Sequence, residues 1–207
     1  VPKPAREERS GGGRPLGEIV RQPVFVVAVI SAAFGYGIMN LLMVATPLAM
    51  DFCSHPFAQA AMVIQWHVVG MYAPGLFTGS LIRRYGTLKV ILAGVALVGG
   101  CVAVALSGTT VTHFLVALAL LGVGWNFMYT GGTTLLTESY APVEKARAQG
   151  ANDFAVFATM GVSSFSSGAL VSVAGWERMN LLALPFLAVV VVAFVWLSRF
   201  RRVPAAV

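Results

Sequence analysis

Long runs of hydrophobic residues, separated by short polar connections, make up most of the chain after residue 23. Each run has about the 20 residues that a helix needs to cross roughly 30 Å of hydrocarbon at 1.5 Å per residue. Strands of a membrane β-barrel would be about ten residues long and would alternate apolar with polar positions. The pattern therefore predicts six transmembrane helices, at about 24–50, 60–82, 88–107, 113–137, 150–174 and 180–198. Pro74 and Gly75 predict a kink in the second of them.

The two ends of the chain are polar. Residues 1–23 are rich in proline, glycine and charge, and because such a composition buries little apolar surface, we expect a flexible linker. Residues 199–207 form a short basic tail. Thirteen of the 14 lysines and arginines lie in these ends and in the connections around 83–89 and 138–149. The positive-inside rule then places both termini in the cytoplasm, with the chain in the plasma (inner) membrane.

The even number of helices has a consequence for their arrangement. The fourth helix runs antiparallel to the first, so the two groups of three helices have opposite topology. Inverted repeats of this kind occur inside each six-helix half of many secondary transporters. The predicted fold class is therefore an all-α membrane protein built from two inverted three-helix repeats.

Composition and charge narrow the classes of protein further. The chain is 57% hydrophobic and 11% charged, against about 45–50% and 25% for soluble domains. Its net charge of +6 would suit nucleic acid, but the basic residues lie at the ends of apolar runs, so we expect no nucleic-acid partner. Cys53 and Cys101 lie at different depths, and no metal-ligand spacing is present. We expect free thiols, no metal and no cofactor.

The connection between the second and third runs, GSLIRRYGTLK, carries three positive charges and no negative charge. Gly79 and Gly86 permit close helix approach and a tight reversal of the chain. Arg83, Arg84 and Lys89 hold this turn on the cytoplasmic side. Spacing and charge together predict a short, basic cytoplasmic turn.

This stretch resembles the signature of the major facilitator superfamily, a G-x-x-x-D-R-x-G-R-R pattern that joins the second and third helices of each six-helix half. Gly79, Arg84 and Gly86 match the pattern, and Lys89 supplies a later basic residue. Arg83 stands where the pattern has an acidic residue. Because the motif is commonly degraded in the C-terminal half of these transporters, the chain resembles that half.

A second stretch, LLGVGWNFMYTGGTTLLTESYAPVEKARAQGANDF at 120–154, is similar to the region that joins the fourth and fifth helices of such a unit. Its R-x-x-G element consists of Arg147 and Gly150. The resemblance implies six helices of a twelve-helix transporter that rocks one half against the other. The implied partners are a small-molecule substrate, the lipid bilayer, and a missing N-terminal six-helix half or a second copy of the chain.

Charged residues at the inner helix ends allow two interpretations. Arg84 can pair with Glu138 at the end of helix four, or with Asp153, which we expect to open and cap helix five; either pair would form a cytoplasmic clamp. Alternatively, Arg83, Arg84 and Lys89 only contact anionic headgroups. Exposed ion pairs contribute only ~0–1 kcal/mol, so both interpretations stay open.

Four of the predicted helices carry polar side chains at membrane depth, where such groups are costly and tend to face protein or water. The candidates for a substrate cavity are Tyr36, Asn40, Gln65, His67, Trp125, Asn126, Tyr129 and Thr133. For the hydroxyl groups, hydrogen bonds within or between helices are the alternative. His67 is either a packing residue or a proton or substrate site. Trp125 and Tyr129 either stack on substrate or belong to the core.

These features favour a secondary active transporter half, a symporter or an antiporter, that moves a small organic solute by alternating access. The alternatives are a truncated fragment that does not transport, or a six-helix membrane scaffold or enzyme. His55, His67 and His113 do not cluster with acids at any catalytic spacing, so we expect no enzyme. A channel would need a filter loop or a charged ring, and the sequence has neither.

Overall fold

A computed structural model of the chain describes residues 13–201, and within this range it is helical, without β-strands. The helices are α1 (Leu16–Ile19), α2 (Pro23–Phe52), α3 (Phe57–Tyr72), α4 (Gly75–Tyr85), α5 (Thr87–Ser107), α6 (Val111–Leu136), α7 (Lys145–Leu181) and α8 (Ala183–Phe200). A 3-10 turn, Pro142–Glu144, precedes α7.

Several of these helices are membrane spans by length and composition. The described residues contain four helical stretches long and apolar enough to cross a bilayer, and a fifth if α3 and α4 form one bent span. The stretch Pro142–Phe200 has 59 residues and would be roughly 90 Å long as one helix. It is interrupted at Gly175, whose φ of 79° and ψ of 168° are not helical. With this interruption, residues 13–201 hold six apolar segments, and the predicted all-α membrane fold is confirmed.

The predicted kink lies between α3 and α4, which are bent by 41° relative to each other. Pro74 has no backbone N–H to continue the hydrogen bonds of α3. Helix α3 ends at Tyr72 and α4 begins at Gly75. We call residues 73–74 the α3–α4 break.

Helices α2 and α6 lie at the centre of the bundle. Helix α2 packs against α6, α7 and α8, whereas α6 packs against α2, α3 and α5. The first helix of each three-helix group therefore packs on the second and third helices of the other group. This exchange joins the two groups into one bundle.

Glycines allow α6 to approach three neighbours closely. A Cβ atom at Gly122 would lie 2.6 Å from a carbonyl oxygen of α3, and one at Gly124 would lie 2.9 Å from a carbonyl oxygen of α5. At Gly132 the corresponding distance to a carbonyl oxygen of α2 is 2.9 Å. Small residues at helix interfaces allow backbones to pack in this way in membranes.

Two parts of the structure differ from the sequence-based expectation. Helix α7 begins at Lys145, five residues before the predicted start, because the strong helix formers of KARAQ continue the turn that Pro142 opens. Residues 13–22 are not a free linker, since they include α1 and its fully buried Ile19. The expectation for residues 1–12 and 202–207 lies outside the described residues.

Candidate functional site

Four aromatic side chains from α2, α3 and α6 form a connected group, which we call the aromatic cluster. Trp125 and Tyr129 stack with ring centroids 5.3 Å apart and an angle of 7° between their planes. Tyr36 meets both of them edge to face, at 5.4 Å and 5.5 Å. Tyr72 lies edge to face on Trp125 at 6.0 Å. Such arrangements suit the ring quadrupoles, and they give the cluster a defined shape.

The members of the aromatic cluster differ in exposure. Trp125 is buried, with 6% of its surface exposed, whereas Tyr72 is 64% exposed. Tyr36 and Tyr129 are half-buried. The indole N–H of Trp125 finds no hydrogen-bond partner among the described residues. The tyrosines thus present an aromatic surface that Trp125 supports from behind.

Asn126 is buried next to the α3–α4 break. Its Nδ2 donates to the Met71 carbonyl at 2.8 Å, and its Oδ1 accepts from the Thr78 hydroxyl at 2.7 Å. Only 6% of Asn126 is exposed. The side chain that the sequence suggested for a cavity wall is therefore bonded at both ends to the protein.

Asn40 is buried in the contact between α2 and α7. Its Nδ2 lies 2.9 Å from the Ser163 hydroxyl and 2.6 Å from the Ser164 hydroxyl. Nearby, the Ser167 hydroxyl donates to the Leu41 carbonyl at 2.8 Å. These contacts are hydrogen bonds between helices of the kind that supports association in membranes.

The remaining cavity candidates differ in their burial and in their neighbours. His67 is fully buried, with Nδ1 2.7 Å from the Leu118 carbonyl oxygen, and its Nε2 has no partner among the described residues. Gln65 is exposed on α3. Thr133 is half-buried, one turn beyond Tyr129, and its hydroxyl donates to the Tyr129 carbonyl at 2.9 Å. Of these three, only Thr133 adjoins the aromatic cluster.

A separate cleft lies between α2, α7 and α8. Its volume is about 260 Å³, and its lining is almost entirely apolar, with Phe34, Leu41, Leu170 and Phe186 among the residues. Three hydroxyl residues also line it, but Thr159, Ser163 and Ser166 each donate to a carbonyl within α7. The cleft therefore offers few free donors to orient a ligand, whereas binding sites usually combine apolar walls with a few placed polar groups. The aromatic cluster is therefore the stronger candidate site.

The basic turn is exposed. Gly86 has a φ of 89°, in the left-handed region that glycine tolerates, and it alone separates α4 from α5. Arg83 donates to the Ser80 hydroxyl at 3.0 Å. The Arg84 guanidinium lies 5.4 Å from the centre of the Tyr85 ring. Gly79, Arg83, Arg84 and Lys89 are all exposed.

The two carboxylates considered for a clamp have other neighbours. Glu138 pairs with Arg201 at 2.6 Å rather than with Arg84. Asp153 is exposed and accepts from Asn152 at 3.1 Å. Because α7 begins at Lys145, Asp153 lies more than two turns inside the helix, and the expectation that it caps the helix was wrong. Neither carboxylate pairs with Arg84 in the described part of the chain.

Sequence reasoning missed the strongest ion pair of this end of the bundle. The Glu144 carboxylate, only 3% exposed, accepts from Nε and Nη2 of Arg14 at 3.0 Å and 2.7 Å. It also accepts from the backbone N–H groups of Arg14 and Ala141. Arg147 contacts the Arg14 carbonyl at 3.4 Å. We call this contact the Arg14–Glu144 anchor.

Electrostatics of the anchor follow from these contacts. The Arg14 side chain, aided by the two backbone N–H groups, lowers the pKa of Glu144 to about 2. The same side-chain bond raises the pKa of Arg14. The signal available in the sequence was weak: one acidic residue at a helix start and one basic residue in the linker.

Comparison with known proteins identifies the family. The sequence profile of the Major Facilitator Superfamily matches residues 3–207. The chain belongs to this family of membrane transporters, and the predicted resemblance is confirmed.

Three curated relatives illustrate the similarity. The chain is 44% identical to the riboflavin transporter RfnT of Brucella anthropi over 183 residues, which cover 88% of the chain and 46% of the relative. It is 28% identical to the uncharacterized MFS-type transporter YddS of Bacillus subtilis, over 93% of the chain and 44% of the relative. It is 31% identical to a second such protein from that organism, YdeG, over 79% and 38%. The chain thus spans less than half the length of these relatives, and no solved structure matches it significantly.

Proposed function

We propose that the chain forms one six-helix half of a secondary active transporter that moves a small organic solute by alternating access. Family membership and the transporter relatives support solute transport. The chain covers 38–46% of the relatives' length, which supports a half. The exchanged packing of α2 and α6 fits the inverted repeats on which such transporters are built.

The exposed faces of α4 and α7 support a partner beside this bundle. Leu76 and Phe165 are each 91% exposed, and Phe154 is 77% exposed. Lipid can cover such side chains, but in a twelve-helix transporter part of this surface would meet the other half. We propose an N-terminal six-helix half, or a second copy of the chain, as that partner. The basic turn and both termini would face the cytoplasm.

In this proposal, the exposure of each cavity candidate decides whether it can form the cavity wall or only support it. A wall of the central cavity in one half must be accessible when that half is seen alone. Asn40, His67, Trp125 and Asn126 are buried inside the bundle, so they are better suited to supporting the wall than to forming it. Gln65 is accessible but lies outside the aromatic cluster. The accessible residues in or beside the cluster, which can form the wall, are Tyr36, Tyr72, Tyr129 and Thr133.

The aromatic cluster is the observation that carries the choice of solute. Half-buried tyrosines with a stacked indole behind them suit a planar, aromatic ring system, because stacking tolerates any flat π surface. The relative that is 44% identical is named a riboflavin transporter, and riboflavin carries such a ring. We therefore propose riboflavin, or a solute with a similar flat heteroaromatic ring, as the substrate.

Binding of riboflavin to the purified protein tests this proposal through quenching of flavin fluorescence. Because stacking on one aromatic side chain is worth ~1–3 kcal/mol, Tyr129→Leu should weaken binding about tenfold or more. Tyr85→Leu is the matched control, since Tyr85 is exposed at the far end of α4 and outside the cluster. Equal affinities for the two variants would refute the aromatic site. Uptake of riboflavin by vesicles containing the complete gene product tests transport itself.

A further inference from the structure

Asn126 bonds to a backbone carbonyl that the α3–α4 break leaves without its usual helical partner. At the α3–α4 break, the Ala73 N–H still bonds to the Val69 carbonyl, and the Leu76 N–H bonds to the Ala73 carbonyl. In a continuous helix the Met71 carbonyl would accept from the backbone four residues later. Here it accepts from Asn126 Nδ2 at 2.8 Å. A side chain of α6 thus replaces a backbone bond at the end of α3.

The other end of the same amide holds the beginning of α4. Asn126 Oδ1 lies 2.7 Å from the Thr78 hydroxyl, which also lies 2.8 Å from the Pro74 carbonyl. Thr78 is fully buried. A Cβ atom added at Gly75 would lie 3.6 Å from Asn126 Nδ2, so the amide also packs against the first residue of α4. One side chain therefore connects both sides of the break to α6.

The aromatic cluster lies directly beside these contacts along both helices. Trp125 precedes Asn126 in α6, and Tyr72 follows Met71 in α3. These two aromatic residues touch each other, with centroids 6.0 Å apart. On the other side of the break, α4 is only 11 residues long and ends in the basic turn with Arg83 and Arg84. The break is thus placed between the proposed solute site and that turn.

We propose that Asn126 is a positioning residue that sets the bend between α3 and α4 and couples it to occupancy of the aromatic cluster. This inference rests on the proposed transport function. A solute that presses on Tyr72 or Trp125 shifts the Met71 carbonyl or the Asn126 amide, and either shift changes how α4 is held. Solute binding thereby alters the direction of α4 and of the basic turn. Asn126 itself does not touch the solute.

The bend can be measured with spin labels at positions 65 and 80, which are exposed on α3 and α4. The native cysteines are first replaced (Cys53→Ser, Cys101→Ala). Without solute, we expect a narrow distance distribution in the otherwise wild-type protein and a broader, shifted one in Asn126→Leu. Thr134→Val is the matched control, because the Thr134 hydroxyl donates to the Thr130 carbonyl of the same helix and not to α3 or α4. An unchanged distribution in Asn126→Leu would overturn the proposal.

Transport measurements separate positioning from contact with solute. With the complete gene product in vesicles, Asn126→Leu should lower the maximal rate of riboflavin uptake about tenfold, while the binding constant changes less than about twofold. Tyr129→Leu should do the opposite: it should weaken binding about tenfold and change the maximal rate less than about twofold. A tenfold loss of binding in Asn126→Leu with an unchanged bend would instead make Asn126 a solute ligand and refute the inference. Thr78→Val, which keeps the bond to Met71, should have a smaller effect on the rate than Asn126→Leu.

The two proposals can fail separately. If the wild-type protein binds no riboflavin, the proposed solute is wrong, but the label distances without solute still decide whether Asn126 sets the bend. If riboflavin binds and leaves the wild-type distance distribution unchanged, the solute is correct and the coupling through Asn126 is refuted.

Discussion

The Glu144 side chain shows how hydrogen bonds offset the free-energy cost of burying a charged group. The Glu144 carboxylate accepts four hydrogen bonds, three of them from Arg14. An ionised carboxylate out of water is costly unless it is paired and fully hydrogen-bonded. Arg14 meets this need bidentately, in the geometry that a guanidinium offers. The exposed pair of Glu138 and Arg201 has less influence, because water and salt screen it.

The pH dependence of stability should reveal the Arg14–Glu144 anchor. The folded-state pKa of Glu144 is about 2, whereas its ordinary value is 4.5. The ionised carboxylate therefore makes its full contribution to the free energy of unfolding above about pH 4.5. That contribution is lost as the pH falls towards 2. We expect Glu144→Gln to lower the thermal midpoint in detergent by a few degrees at neutral pH and to remove much of the acid sensitivity.

Glu138→Gln is the control for this measurement, since it removes an exposed carboxylate from the same region. Its melting curve should resemble that of the wild-type protein from neutral to acidic pH. If both variants behaved alike, the anchor would have no special role in stability.

At the scale of residues, the sequence predicted which side chains are candidates better than it predicted their burial and their contacts. The aromatic residues of α2 and α6 were recognised as candidates because polar and aromatic groups recur along one face of each helix. Whether that face is accessible depends on the rotation of the helix in the bundle, and this is why Asn126 and Trp125 proved buried. The partner of Glu144 could not be predicted, since Arg14 lies 130 positions away.

At the scale of helices, close backbone contacts decide which substitutions α5 and α6 tolerate. A Cβ atom at Gly94 of α5 would lie 2.7 Å from the Gly124 carbonyl oxygen and 2.9 Å from the Met128 nitrogen. Both are backbone atoms of α6 and cannot move away independently. By contrast, a Cβ atom at Gly99 of the same helix meets nothing within 4 Å.

Alanine substitutions at these two glycines should have opposite effects. Gly94→Ala forces the helices apart, and overpacking of this kind costs about 1–3 kcal/mol. Gly99→Ala fills open space and lowers the entropy of the unfolded chain, which should stabilise by roughly 0.5–1 kcal/mol. Thermal unfolding of the purified proteins in detergent checks both signs. Similar midpoints would mean that α5 and α6 are not in such close contact.

Helix positions were largely readable from hydropathy, but helix ends were not. The α3–α4 break was predictable because Pro74 necessarily lacks a hydrogen-bond donor. The start of α7 was misplaced because Lys145 and its neighbours are polar, and a search for apolar runs cannot see a helix that extends beyond the hydrocarbon. Asp153 was assigned to a helix start for the same reason.

At the scale of the whole molecule, the distribution of basic residues predicts the orientation. Cys53 follows α2 and is half-buried, whereas Cys101 is fully packed inside α5. If both termini face the cytoplasm, a membrane-impermeant maleimide added to intact cells should label Cys53. In the variant Tyr85→Cys, the new thiol replaces a side chain that is 50% exposed at the end of α4, and it should react only after the membrane is opened.

The two labelling sites control each other. In intact cells, reaction at position 85 of the Tyr85→Cys variant without reaction at Cys53 would reverse the proposed topology. Cys101 should remain unlabelled on either side until the protein is denatured, because only 1% of it is exposed.

The Arg14–Glu144 anchor also determines how far anything joined upstream can travel. A free segment of about ten residues, the length of 13–22, would have a root-mean-square reach of roughly 17 Å. Because Arg14 is held by Glu144 at the start of α7, this segment has no such freedom, and the described chain begins at a fixed place beside the α6–α7 connection. A domain joined upstream would therefore keep a high local concentration beside the bundle. Loss of the Arg14–Glu144 anchor would lengthen the connection by about ten residues and lower that concentration.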